Sequence, residues 1–517
     1  MPIASFPHRP PPTGHTTLRR PSVSALAVLR PAALAAVAAA IAVAGLAAPA
    51  RADAPAVPAA RLLSPAQTIT GFGASGAWWP NDADDFSAST RARIAQLLFD
   101  RRAGLGLSIY RYNIGGGGTG VATGPRAARS FLQAPGTYDW SADPGGTAFL
   151  RQAARYGVRR LVGFANSAPR FFTTNGRNCG GGLRPGRVAN YAGYLARVAA
   201  HMRSAYGIRL ATVSPMNEPT DSFAACNQEG MQVPASQRRA VIRSVASALA
   251  SRSPGTKVSA DESTTTVALG AGIGRWIDPD VATVAFHGYD FPTAARLRAV
   301  AGMVRAHTGA RTEMTEVCCS NGSGYARGYN PGMRGGLWLA DTIWRDLSAG
   351  GVSSFSWWTA LSPELGCAPS SDPTCTTASN TTGWNDGLLY YDAEFRTNGN
   401  QSIYFTRRYY AFANFSRYIR PGAVHYRVTG VPEHVHVIAF RRNTWRFVMI
   451  NDAAGRRTVR VQLLPPGSHR YGAPSAYTTS ATASLAPAAS PPTLNGSTHL
   501  LTATLPGRSV STVIVPW

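Results

Sequence analysis

Lysine is nearly absent from this 517-residue chain: Lys257 stands alone, and every other basic residue is arginine. Acidic residues are also scarce, 26 against 51 Lys and Arg, which leaves a formal net charge of +25. The arginines are scattered singly and in pairs, with no basic block, and this argues against a nucleic-acid-binding arm. What the field leaves is a weak attraction to acidic cell walls or polysaccharides. No long apolar run follows the first fifty residues, so no membrane span is expected in the mature chain. The six cysteines lack zinc-site spacing and no other metal set emerges; neither a metal nor a cofactor is expected. The run Gly115-Gly116-Gly117-Gly118 lacks both the GxGxxG register and a P-loop lysine, and reads as a flexible loop.

The N-terminal residues read as an export segment. Arg19-Arg20 precede an apolar run from Ala32 to Ala48, and Ala50-Arg51-Ala52 has the small-x-small pattern of a signal-peptidase site. The paired arginines before Pro21 hint at a twin-arginine route. Residues 1–52 are thus expected to be removed and the protein secreted. The cysteines then meet an oxidising compartment. Six cysteines allow fifteen pairings and the sequence does not choose among them; Cys367 and Cys375 bracket a Pro/Ser/Asp loop that they could close locally. Cys179 and Cys226 suit a bridge over the top of the core, and the adjacent Cys318 and Cys319 are not expected to pair with each other.

From about residue 69 to 362, apolar β-branched runs alternate with longer amphipathic ones, and residues 69–400 are expected to form the catalytic barrel. Eight candidate strands cover 69–75, 107–113, 160–166, 210–217, 257–262, 283–289, 311–316 and 353–359. Helix-like runs cover 89–101, 147–156, 188–206, 236–252, 294–307 and 335–347. Eight strand–helix units predict a (β/α)8 barrel, with an open doubly wound sheet as the alternative. Residues 401–517 open with an aromatic-rich helix and continue as short alternating strands, which predicts a small antiparallel β-sandwich. Residues 53–68 are expected to supply it with an N-terminal strand. The molecule is expected to be a monomer.

Among so few acids, two glutamates end two predicted strands: Glu218 in Ser214-Pro215-Met216-Asn217-Glu218-Pro219, and Glu316 in Glu313-Met314-Thr315-Glu316-Val317. Residues at the C-terminal ends of barrel strands face the active site, so strands four and seven would bring two carboxyl groups to one mouth. A carboxyl pair is what glycoside hydrolysis needs, at close range for retention and at wider range for inversion. Glu218 is assigned as acid/base and Glu316 as nucleophile, held by Arg111, His287 and Tyr289. Asn217 is placed to bond a sugar hydroxyl. Strand alternation points the rival Glu313 at the helix layer, where an arginine could pair with it. The same alternation lets one member of each tryptophan pair face the pocket, here Trp78 and Trp357. Asp261 and Glu262 end strand five and either line the mouth or cap the next loop.

Gly71-Phe72-Gly73-Ala74-Ser75, Asn217-Glu218-Pro219 and Thr315-Glu316-Val317-Cys318 together resemble glycoside hydrolase family 30. The segments 76–82 and 111–117 are similar to its endo-β-1,6-galactanase-like branch. Asn166-Ser167-Ala168-Pro169-Arg170-Phe171-Phe172 agrees more loosely. The resemblance implies a retaining mechanism on a polysaccharide, with sugar contacts from Arg111, Asn166, Asn217, His287, Tyr289 and Trp357. It leaves a β-1,6-glucanase, a xylanase and a glucosylceramidase-like activity as alternatives within the family. Outside it stand a non-catalytic carbohydrate-binding protein and a wall scaffold whose side domain does the work.

Overall fold

The computed structural model describes residues 58–122, 127–320, 324–467 and 470–517. The expected export segment lies outside them. Eight parallel strands close a barrel in chain order: β2 (Gly71–Gly76), β3 (Ile109–Asn113), β4 (Arg160–Phe164), β5 (Thr212–Ser214), β6 (Lys257–Ser263), β7 (Val281–His287), β8 (Arg311–Glu316) and β9 (Ser354–Trp357). Closure is tight where β9, β2 and β3 meet. A Cβ on Gly73 would come within 2.7 Å of Ile109 Cβ and 2.8 Å of Ser356 Oγ, so only glycine lets these strands approach.

The outer layer comprises α1 (Ala88–Phe99), α2 (Pro144–Arg155), α3 (Val188–Tyr206), α4 (Ala235–Arg252), α5 (Thr266–Trp276), α6 (Ala294–His307), α7 (Met333–Ser348) and α8 (Arg407–Ser416). Several start on side-chain caps that the sequence supplies locally: Ser87, Asp143, Thr265 and Thr293 each accept a backbone N–H three residues on. Helix α5 goes unread in the sequence because Gly270, Gly272 and Gly274 dilute its helical signal. Their small size lets it lie close to the next helix, with Met303 3.3 Å and His307 Nε2 3.1 Å from where two of the missing Cβ atoms would stand.

The side domain is one continuous ten-stranded sheet, curled on itself. Strand β1 (Ala59–Thr68) lies at its centre, antiparallel to Val424–Thr429 and parallel to Arg457–Gln462. That strand joins what would otherwise be two facing sheets. The alternation along Val435–Arg441 divides its two faces. Val437 and Ala439 point into the curl with Phe447, Met449, Val461 and Val513. Ile438 and Phe440 join the apolar cluster that also holds the barrel. The two parts are further tied by Trp344 of α7, which stacks on His436 at 3.9 Å and donates to Val437 O, and by Thr512 Oγ1, which donates to Asn414 O of α8 at 2.6 Å.

All six cysteines are bridged, as Cys179–Cys226, Cys318–Cys319 and Cys367–Cys375. The middle bridge corrects the expectation that adjacent cysteines stay apart. The chain leaves β8 in a turn there, with Cys319 at a φ of +67°, and this brings the two sulfurs onto one side. Among the described residues no helix is long and apolar enough to cross a membrane.

Candidate active site

The mouth of the barrel gathers three buried carboxylates, an arginine and a histidine in one cluster. Arg111 extends from β3 and is only 1% exposed. Its Nη1 lies 3.1 Å from Glu316 Oε2 and donates to Ser75 Oγ at 2.7 Å, while its Nη2 lies 3.4 Å from Glu262 Oε2. The guanidinium also rests 4.2 Å from the centre of the Phe164 ring. Tyr289 donates its hydroxyl to Glu316 Oε1 at 2.8 Å. His287 was expected to hold Glu316, but its Nδ1 stands 2.9 Å from Glu218 Oε1 and 3.7 Å from Glu316 Oε1. Its Nε2 meets Glu262 Oε2 at 3.1 Å. The ring therefore bridges two carboxylates and only flanks the third. One oxygen each of Glu218 and Glu316, with a His287 nitrogen, lie within 4.8 Å of one another.

The backbone is shaped to allow this. Glu218 and Glu262 both sit in the left-handed region, at φ of +47° and +58°, which side-chain-bearing residues seldom adopt. Glu218 N donates to Glu262 O at 2.9 Å, so the two strand ends clamp each other. The last step of β8 carries a bulge: Phe286 pairs with Met314, and His287 then pairs with Glu316. The skipped residue, Thr315, donates its hydroxyl to Glu262 Oε2. Because of the bulge, Glu313 and Glu316 fall on the same side of the strand. This corrects the expectation that Glu313 faces the helices. It points into the barrel floor, where Arg160 Nη2 of the opposite strand lies 2.6 Å away and Thr70 Oγ1 donates at 3.3 Å.

Electrostatics separates the three mouth carboxylates. Burial raises the Glu218 carboxyl above its ordinary value, and neighbouring Glu316 adds to this, while His287 pulls the other way. Glu262 is equally buried, but Arg111, His287 and the Thr315 hydroxyl outweigh burial and hold it at about 2. For His287, burial works against the charged form, but Glu316, Glu218 and Glu262 surround it and lift it to about 10. An imidazolium has no free lone pair, so the trio of Glu218, His287 and Glu316 is poorly suited to hold a metal ion. Two cationic side chains, Arg111 and His287, thus face three carboxyl groups, and burial favours the neutral form of Glu218.

Around this cluster, Asn166 Nδ2 and Asn217 Oδ1 are buried and find no partner among the described residues. Trp78 lies at the mouth with Phe164 and Trp358. Trp357 does not, contrary to the expectation that it faces the pocket. It shares the parity of Phe355, which packs against Phe412 of α8, and it is fully buried facing the helices, edge-on to Trp338 of α7. Its indole donates to Asp386 O at 2.6 Å. The pocket-side member of the pair is Trp358. Asp261 likewise turns outward, to Arg238 of α4 at 2.7 Å, and leaves Glu262 to the mouth.

Glu229 escapes any reading of the sequence, since it ends no strand and belongs to no pattern. Fully buried, it accepts the backbone N–H of Gly118 at 2.9 Å and of Gly116 at 3.4 Å, and burial pushes it up to about 8 despite those donors. It thereby fixes the glycine run as one wall of the mouth, where a Cβ on Gly116 would come within 3.0 Å of Glu229 Oε1. The loop that reads as flexible is anchored.

Comparison with known proteins agrees with this geometry. The model of O-glycosyl hydrolase family 30 matches residues 60–272. An endo-β-1,6-galactanase of Hypocrea rufa is 25% identical over 419 residues, which is 74% of this chain and 78% of that protein. A solved structure described as a conserved exported protein from Bacteroides fragilis superposes with a TM-score of 0.74 at 20% identity, covering 88% of this chain and all of that one. The catalytic domain of the GH30 xylanase C from Talaromyces cellulolyticus gives 0.67 at 23% identity, covering 89% of this chain and all of that one. Both structures speak for the fold alone.

Proposed function

We propose that this O-glycosyl hydrolase of family 30 is a secreted, retaining endo-β-1,6-galactanase that acts on arabinogalactan-type side chains. The observation that carries the mechanism is that oxygens of Glu218 and Glu316 lie within 4.8 Å of each other in opposite electrostatic settings. Such closeness suits attack by one carboxylate on the sugar and leaves no room for a water between the two.

Glu316, flanked by Arg111 and Tyr289, attacks the anomeric carbon. The bond from that carbon to the glycosidic oxygen breaks as Glu218 passes its proton to the departing oxygen. The product is a glycosyl ester on Glu316 and a free alcohol. A water then enters, gives a proton back to Glu218 and attacks the same carbon, which releases Glu316 as carboxylate with configuration retained. Glu262 serves both halves. Its fixed negative charge keeps the cluster neutral with Glu218 protonated and Glu316 ionised, and neutral again when Glu218 is ionised and Glu316 is esterified. The buried, unpartnered polar atoms of Asn166 and Asn217 suit hydroxyls of the bound sugar, and Trp78 and Trp358 suit its apolar face.

The choice of galactan rests on the Hypocrea rufa relative and on the branch-like segments 76–82 and 111–117. Secretion rests on the three disulfides and on the N-terminal pattern. Product analysis on a panel of β-linked polysaccharides, with the first-formed anomer read by NMR, tests both levels. Release of galactose oligomers with retained configuration is expected. First-formed product of inverted configuration would overturn the mechanism, and cleavage confined to glucans or xylans would overturn the substrate.

A further inference from the structure

An aromatic path leads away from Glu316 to the surface, and the catalytic chemistry does not use its outer end. Tyr289, whose hydroxyl donates to Glu316, meets Tyr325 edge-on with ring centres 5.9 Å apart. Tyr325 in turn lies over Trp384, tilted by 41°, at 5.5 Å, and the Arg327 guanidinium stands 5.7 Å from the Trp384 ring. Tyr325 is 48% exposed, while the other exposed large apolar residues among those described, Leu63 and Val267, are aliphatic. Trp384 is half-buried beside it.

The described residues beside these rings are tied by backbone hydrogen bonds. Tyr325 forms a backbone bridge with Ser320, and Ala326 N donates to Cys319 O at 3.1 Å, beside the Cys318–Cys319 bridge. Gly328 N donates to Gly383 O at 2.7 Å, Tyr329 pairs with Asn380, and Trp384 N donates to Glu364 O at 2.9 Å. The Cys367–Cys375 bridge packs beneath them in a small core with Tyr329 and Tyr390. A fixed, water-facing aromatic surface continuous with a sugar-cleaving mouth is a stacking surface for the next sugar, because pyranose rings present an apolar C–H face. In galactose the axial hydroxyl leaves one such face open.

We propose that Tyr325 and Trp384 form a further subsite that binds a galactose unit of the β-1,6-linked chain beyond the one being cleaved. This deepens the reading above and rests on Glu316 being the reacting carboxylate. The test compares Y325A and W384A with the unmodified full chain on β-1,6-linked galactose oligomers of increasing length, together with isothermal titration of the longest oligomer into E316Q with and without Y325A. Each alanine variant is expected to lower kcat/KM on long oligomers roughly five- to tenfold, chiefly through KM. The shortest oligomer cleaved should be unaffected, and Y325F should behave like the unmodified chain. Binding to E316Q should weaken by a similar factor when Y325A is added. Equal losses at every length accompanied by a lowered Tm, or no loss at any length, would overturn the subsite. So would an unchanged titration. Failure of the catalytic reading shows separately, as turnover retained by E316Q.

Discussion

Glu313 and Glu316 leave the same strand, three residues apart, on the same side, and each meets an arginine from across the barrel. On the floor, one carboxylate faces one guanidinium, with hydroxyls of Thr70 and Ser353 completing the shell. That arrangement is already neutral and satisfied. At the mouth, three carboxylates share two cations, and neutrality requires a proton that can sit on one of them and leave again. An arginine–glutamate pair inside a barrel is thus a strut or a reaction centre according to whether the charges around it balance without a mobile proton.

The largest contrast between floor and mouth should come from the two glutamates themselves. E316A is expected to lower kcat by at least about 10³-fold with little change in Tm. E313A should do the reverse, costing roughly 3 kcal/mol of stability by leaving Arg160 without its carboxylate, and sparing kcat. Calorimetry and a turnover assay on both variants decide this, and a matching loss of activity in E313A would erase the distinction. The tryptophan pair sharpens the same contrast. W357A opens a cavity against the helix layer and should cost about 3–5 kcal/mol, whereas W358A should raise KM roughly tenfold at near-normal Tm.

A subtler difference concerns protons. Replacing Glu262 by Gln removes one negative charge from the cluster, so its proton should leave more readily. The basic limb of the kcat/KM profile should then move to lower pH by about one unit, with kcat down roughly tenfold. An unmoved limb would take Glu262 out of the proton balance. The smallest effect is on stability in acid. Glu262 is held at about 2, below the 4.5 of an unperturbed glutamate, so its contribution is present above that value and lost as pH falls towards 2. Acid unfolding of E262Q should accordingly be less steep over that interval than that of the unmodified chain.

The barrel was legible because short strand-like runs alternate with longer amphipathic ones, and strand counting alone brings Glu218 and Glu316 to one mouth. What the sequence hid came from single-residue departures from regular geometry. The bulge at Thr315 reverses the parity that pointed Glu313 outward. The parity of β9 puts Trp357 with Phe355 and hands the pocket to Trp358, a choice that counting from the sequence leaves open. The left-handed turn after β8 pairs Cys318 with Cys319, and a buried loop acid, Glu229, anchors the glycines that read as slack. Helix α5 was masked by its own glycines. Each of these is settled by tertiary packing, which a local pattern does not register.

The central position of β1 has a consequence in time. This strand leaves the ribosome ahead of the whole barrel, yet its two neighbours in the sheet, Val424–Thr429 and Arg457–Gln462, are made only after the barrel, with Arg61 opposite Thr429 and Ala59 opposite Arg460. The side domain therefore cannot be completed until the whole barrel has been made, and a fragment cut from residue 401 onward would present two open strand edges where β1 belongs. The catalytic barrel is threaded between the first and last acts of its companion's folding, so neither part can be inherited, trimmed or transplanted as a simple block.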